Sequence, residues 1–316
     1  MSTTGTPQAN RNPRHTGIIP PVVTPLTADG TVDTPSLERL VNHQIEAGVT
    51  GLFALGSSGE TAYLTPDQQQ TVLETTVGAA AGRVPVLAGA IETTTNRVIE
   101  RALVAQKAGA EAIVATAPFY TRTHATELPV HFRSIAEAID VPLLAYDVPV
   151  CVHTKLPGQL LLDLAAEGVL AGIKDSSGDD VGLRQLILGA EELPDFAVLT
   201  GHEVVVDGML LGGADGAVPG LANVDPHGYV RLHEAAARGD WAAARAEQDR
   251  LARLFRLVDA VEPGTASGTT GGLGGFKTAL ALLGLIDSPT VSPPMRAHTE
   301  AETARVRAHL ETAALL

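Results

Sequence analysis

VPVLAGAIETTTNRVIERALVAQKAGAEAIVATAPFY (84–120) reads as one complete strand–helix–strand unit. Its first run, VPVLAGAI (84–91), is apolar on both faces of the pleat, as is AIVATA (112–117). Strands of that kind are covered on both sides, which is the mark of a parallel sheet. Between them TTNRVIERALVAQKAG (94–109) carries apolar residues at three- and four-residue spacing and closes on a glycine, the pattern of an amphipathic helix.

The same grammar extends in both directions. Short apolar runs recur at GIIPPVV (17–23), GLFALG (51–56), VPLLAYDV (141–148), VLAGIK (169–174), FAVLTG (196–201) and GAVPG (216–220), with starts 20 to 34 residues apart. That interval holds a strand, a helix and two loops. TPSLERLVNHQIEAG (34–48) has a Thr cap, a Pro in its first turn and a terminal Gly, and TPDQQQTVLETTVGAAAG (65–82) repeats this. Eight strands alternating with helices predict an α/β fold, a (β/α)8 TIM barrel with additional C-terminal helices. A doubly wound open sheet requires a glycine fingerprint after strand one, and TPLTADG (24–30) does not supply it.

The expected organisation is a disordered N-terminal tail over 1–15, a barrel core over 16–225, and a last barrel helix with a C-terminal helical appendix over 226–316. Within the appendix PGTASGTTGGLGG (263–275) reads as a flexible connector, because it neither follows a strand nor carries the Lys-Ser/Thr of a P-loop.

Composition narrows the function. The 316 residues are 45% hydrophobic and 18% charged, enough apolar material for one large core. A net charge of −14 repels phosphate backbones, and no basic patch offsets it, so no nucleic-acid partner is expected. No membrane-length apolar run and no signal-peptide stretch is present, so no membrane partner and a cytoplasmic location are expected. A single cysteine, Cys151, excludes a disulfide framework, and the ten histidines show no metal-ligand spacing.

In a (β/α)8 barrel the active site lies at the C-terminal ends of the strands. Polar residues gather there: Gly56-Ser57-Ser58-Gly59-Glu60, Tyr120 after Pro118-Phe119, Tyr146-Asp147, and Lys174-Asp175. Lys174, one of only four lysines, closes an inward-running apolar strand. Burial favours the neutral amine, which is a nucleophile toward ketones. The bland alternative is an ion pair of Lys174 with Asp175 or Glu60. Tyr146 can shuttle protons beside that amine. Ser57 and Ser58 sit between glycines, where backbone N–H groups can cradle a carboxylate. His153 and His202 lie near strand ends within reach of a substrate, and Cys151 reads as a pocket-lining residue.

Taken in order, GSSGE (56–60), PFY (118–120), YDVP (146–149), GIKDSSGD (172–179) and GLANVDP (220–226) resemble the dihydrodipicolinate synthase / N-acetylneuraminate lyase family of class I pyruvate-dependent aldolases. The resemblance implies a homotetramer acting on pyruvate or another 2-oxo acid together with an aldehyde, with no metal or organic cofactor. It implies an imine on Lys174, a proton relay through Tyr146 and Ser57, and Tyr120 donated by a neighbouring subunit. Ser57 and Ser58 would hold the pyruvate carboxylate, and Gly56, Gly201 and Val218 would shape the pocket.

One position departs from the dihydrodipicolinate synthases, which carry an arginine two residues past the proline of YDVP. Cys151 stands there, with His153 or Lys155 available as substitutes. The expected reaction is therefore cleavage or synthesis of a 4-hydroxy-2-oxo acid of the 2-keto-3-deoxy sugar acid type. The alternatives are 4-hydroxy-tetrahydrodipicolinate synthase, a dehydratase using the same imine, and a non-catalytic 2-oxo-acid binder.

Overall fold

The computed structural model describes residues 15–316. The tail expected over 1–15 falls outside them except for His15, which is buried rather than trailing in solvent. Eight strands form one parallel sheet: β1 (Gly17–Ile18), β2 (Leu52–Ala54), β3 (Val86–Gly89), β4 (Ala112–Thr116), β5 (Leu143–Asp147), β6 (Gly172–Asp175), β7 (Ala197–Thr200) and β8 (Gly216–Ala217). Each lies inside a run that the sequence marks, except that β6 reaches one residue past its run, to Asp175. The hydrogen-bonded order β1-β8-β7-β6-β5-β4-β3-β2 wraps round, and residues 20–22 close it onto β2. There Phe53 N–H donates to Pro20 O and Val22 N–H to Phe53 O, both at 2.9 Å. Pro20 and Pro21 have no N–H to give, which is why β1 is short and the closure rests on so few bonds.

Helices α1 (Thr34–Glu46), α2 (Pro66–Ala80), α3 (Thr95–Lys107) and α4 (Leu128–Ala138) follow the first four strands. A four-residue turn α5 (Pro149–Val152) precedes α6 (Gly158–Ala166), and α7 (Asp180–Gly189), α8 (Val206–Leu211) and α9 (Pro226–Ala237) complete the ring. Caps set several starts. The Asp33 side chain accepts from Ser36 N–H, so Asp33 rather than Thr34 caps α1, and Thr65 with Gln68 forms a full capping box on α2. The strands are buried throughout, so the barrel interior is a filled core with polar groups only at its ends.

The appendix is α10 (Trp241–Phe255), α11 (Gly268–Leu282) and α12 (Glu300–Thr312). Here the sequence reading is corrected: most of the stretch taken as a flexible connector is the first half of α11, and Gly271, Gly274 and Gly275 are buried. The glycines serve close packing. A Cβ at Gly271 would lie 2.5 Å from the Val258 carbonyl oxygen, in a short helical turn over Arg256–Ala260. Composition alone signals a loop, and tertiary packing overrides it. No helix among the described residues is long and apolar enough to cross a membrane.

Candidate active site

Strand register builds the site. Thr116, Tyr146, Lys174 and Leu199 are successive Cα partners across β4, β5, β6 and β7, so they form one level of the barrel near its C-terminal end. Lys174 is buried, at 6% exposure, with Nζ 4.1 Å from the centre of the Tyr146 ring and 5.0 Å from that of Phe53. The two rings meet edge to face, 6.3 Å apart. Among the described residues no carboxylate forms an ion pair with Lys174, which overturns the bland reading. Asp175 instead accepts from Ser177 N–H and Oγ, each at 2.8 Å, and Glu60 is taken by Lys277. The aromatic faces attract the Lys174 ammonium without engaging its nitrogen in an ion pair, so no carboxylate partner has to be displaced before the nitrogen reacts.

Tyr146 OH lies 3.3 Å from Ser57 Oγ, which brings the loop after β2 to the phenol. Gly56 is required there: a Cβ would strike the Phe53 ring at 2.6 Å. Ser57 opens to solvent and Ser58 is half-buried, so both line the mouth. Gly201 N–H donates to Asp175 O at 2.6 Å, and the buried Val218 donates N–H to Thr200 O at 2.8 Å, placing both at the rim of β7 and β8.

Three sequence-derived residues lie elsewhere than the inner ring. Tyr120 is 94% exposed and holds φ at +71°, so within one chain its side chain stands in solvent. His153, also left-handed at φ +57°, lines an open cleft of about 500 Å³ with Tyr120 and Arg122. Cys151 is exposed at the start of that region. Partial desolvation of its thiol, only partly offset by the Lys174 charge, raises its pKa, so it stays a neutral wall.

Two proposed partners are occupied. Lys155 Nζ is ion-paired to the buried Asp147 and lies 3.8 Å from Asp175, so its charge is engaged there and not presented as a substitute clamp. Burial raises the Asp147 carboxyl, and Lys155 and the Leu156 N–H oppose that rise. His202 Nδ1 bonds Asp180 at 2.8 Å and Nε2 accepts Gly178 N–H at 2.8 Å. With both ring nitrogens engaged, it braces the loop after β6.

Sequence reasoning missed two groups. Glu203, just past β7, accepts Leu221 N–H at 2.5 Å and feels the Lys174 charge. Burial nonetheless pushes its carboxyl up to about 7. The signal was present as TGHE (200–203), an acid two residues past the rim glycine. Lys277 of α11 meets Glu60 with neither side chain exposed, and burial lowers its pKa against the pull of that carboxylate. No local pattern announces this pair, because the partners are more than two hundred residues apart.

Comparison with known proteins agrees with this geometry. The model of the dihydrodipicolinate synthetase family matches residues 14–313. A 4-hydroxy-tetrahydrodipicolinate synthase of Phenylobacterium zucineum is 34% identical over 307 residues, covering 96% of this chain and 99% of the relative. A DapA-like lyase of Halobacterium salinarum is 33% identical over 300 residues, covering 95% of this chain and 94% of its own. The E. coli prophage protein YagE, solved in complex with pyruvate, superimposes with a TM-score of 0.89 at 32% identity, covering 95% of this chain and 99% of that one. The chain therefore belongs to the dihydrodipicolinate synthetase family and is a carbon–carbon lyase on its barrel fold.

Proposed function

We propose that the chain is a pyruvate-dependent class I aldolase working through an imine on Lys174. The observation that carries this is the buried Lys174 amine, in no ion pair among the described residues and set against the Tyr146 ring, whose hydroxyl continues to Ser57. The deprotonated Nζ attacks C2 of pyruvate, and the oxygen leaves as water. The iminium then draws electrons from C3, which loses a proton and becomes an enamine. The enamine carbon attacks the aldehyde carbon, whose oxygen takes up a proton, and water frees the product from Lys174. Tyr146 and Ser57 move the protons, Ser57 and Ser58 hold the pyruvate carboxylate, and Gly56, Gly201 and Val218 bound the pocket. Pyruvate as substrate is supported by the pyruvate complex of the E. coli relative.

For the aldehyde, the names of the relatives support aspartate semialdehyde, and hence 4-hydroxy-tetrahydrodipicolinate synthesis, more directly than any other partner. A specific observation favours the second reading, a 2-keto-3-deoxy sugar acid. Position 151 offers a neutral thiol, Lys155 is locked by two aspartates, and Glu203 adds a carboxyl at the rim. A carboxylate-bearing aldehyde gains little there, whereas hydroxyls find an acceptor. The full exposure of Tyr120 supports its donation to a neighbouring subunit of a homotetramer. A cytoplasmic location completes the reading.

The test is borohydride reduction with pyruvate, peptide mapping, and then turnover of both aldehyde classes. An adduct on Lys174, absent in Lys174→Ala, is expected. A folded chain that forms none refutes the imine. Product analysis assigns the partner.

A further inference from the structure

The turn that carries Ser57 and Ser58 is fixed from outside the barrel. Gly59 N–H donates to Gly56 O at 3.0 Å and Glu60 N–H to Ser57 O at 3.1 Å, while Thr24 Oγ1 donates to Gly59 O at 2.8 Å. Glu60 closes this turn at φ +60°, a conformation that a non-glycine residue adopts only against steric resistance. What holds it is its side chain, which is wholly buried. One carboxylate oxygen is ion-paired to Lys277 Nζ, and the other accepts Ser292 N–H at 2.8 Å. Lys277, equally buried, also donates to Thr290 O at 2.8 Å. Both the helix α11 and the strap at 290–292 thus converge on the one residue that ends the serine turn.

A buried ion pair adds little net stability over an apolar pair of the same shape, so its presence calls for another role. Its position supplies one. Glu60 is three residues from Ser57, whose Oγ meets Tyr146, whose ring meets Lys174.

We propose that Lys277 is a positioning residue through which the C-terminal appendix sets the serine turn of the active site. Resting on the imine reading above, Lys277 acts on the geometry in which pyruvate is received and touches no reacting atom. Loss of its ammonium leaves Glu60 an unpaired buried carboxylate, which then seeks water and pulls the turn with it.

Three variants test this: Lys277→Met, Glu60→Gln, and the two combined. Lys277→Met is close in volume but strands the Glu60 charge and lowers the melting temperature. The double variant removes both charges and restores that temperature toward wild type. If Lys277 is a positioning residue, the double variant still needs at least tenfold more pyruvate for half-maximal borohydride trapping. Glu60→Gln, which keeps an acceptor for Lys277, falls between. A folded double variant with wild-type half-saturation overturns the proposal.

Hydrogen exchange of the peptide spanning 56–64 gives a second readout that needs no chemistry. Faster exchange confined to that turn in the double variant is expected, and unchanged exchange overturns the proposal. Should the wild-type chain trap no pyruvate, the imine reading fails, and this exchange measurement alone decides the role of Lys277.

Discussion

Tyr146 and Lys174 are register partners on neighbouring strands, and the Lys174 nitrogen lies 4.1 Å from the centre of the Tyr146 ring. The phenol is thereby held beside the amine while its hydroxyl reaches Ser57. Tyr146→Phe keeps the ring and its packing and removes only the proton carrier. It should lower kcat about 10²- to 10³-fold. The Lys174 adduct should still form with pyruvate, only more slowly. Rapid-quench trapping checks both, and an unaltered kcat would remove Tyr146 from the relay.

Cys151 decides how a carboxylated aldehyde is received. Cys151→Arg installs a guanidinium at that position, and a charge-assisted pair contributes about 1.5–3 kcal/mol. Turnover of aspartate semialdehyde should therefore rise by about tenfold or more, with no matching gain on a 2-keto-3-deoxy sugar acid. If wild type already uses aspartate semialdehyde efficiently, Arg122 in the Tyr120–His153 cleft is the cation to remove. Arg122→Gln should then raise its KM. Steady-state assays on both aldehydes decide between the two.

Glu203 gives the fold a specific pH dependence. Desolvation pushes its carboxyl from the ordinary 4.5 up to about 7 in the folded chain. Between those values the folded state binds more protons than the unfolded state, so this group's contribution falls as pH rises from about 4.5 to 7 and is constant above. Glu203→Gln should match wild type at pH 4.5 and exceed it in melting temperature at pH 8. A constant difference across that range would mean that burial does not raise this carboxyl.

The glycine face of α11 is a packing surface. Gly271→Val places a Cβ 2.5 Å from the Val258 oxygen and should cost about 1–3 kcal/mol by overpacking. Gly272→Val, whose Cβ meets nothing within 4 Å, bears only the ordinary helix-propensity difference. Thermal melts of the two variants separate contact from propensity.

The barrel was legible because its strands are continuous apolar runs, and Lys174, Tyr146 and Ser57 were legible because they lie at or beside the ends of such runs. Burial of a charge is different: whether Glu60 or Glu203 lies in protein or in water depends on segments distant in the chain. The same limit hid α11. Five glycines in fifteen residues predict a loop, and it is tertiary packing, most of all against residues 256–260, that accompanies the helix there. His202 and Lys155 were placed at the right rim, but their engagement with aspartates is a matter of side-chain geometry that spacing does not encode.

The reach of Lys277 to Glu60 also has a consequence in time. Chains are made from the N-terminus, and the last barrel strand ends at Ala217, sixty residues before Lys277. The ribosome therefore releases every strand of the barrel while the counter-charge for Glu60 is still unmade. On the role proposed for Lys277, a nascent chain that closes its ring early receives pyruvate poorly, its serine turn unset, until α11 and the strap behind it have emerged.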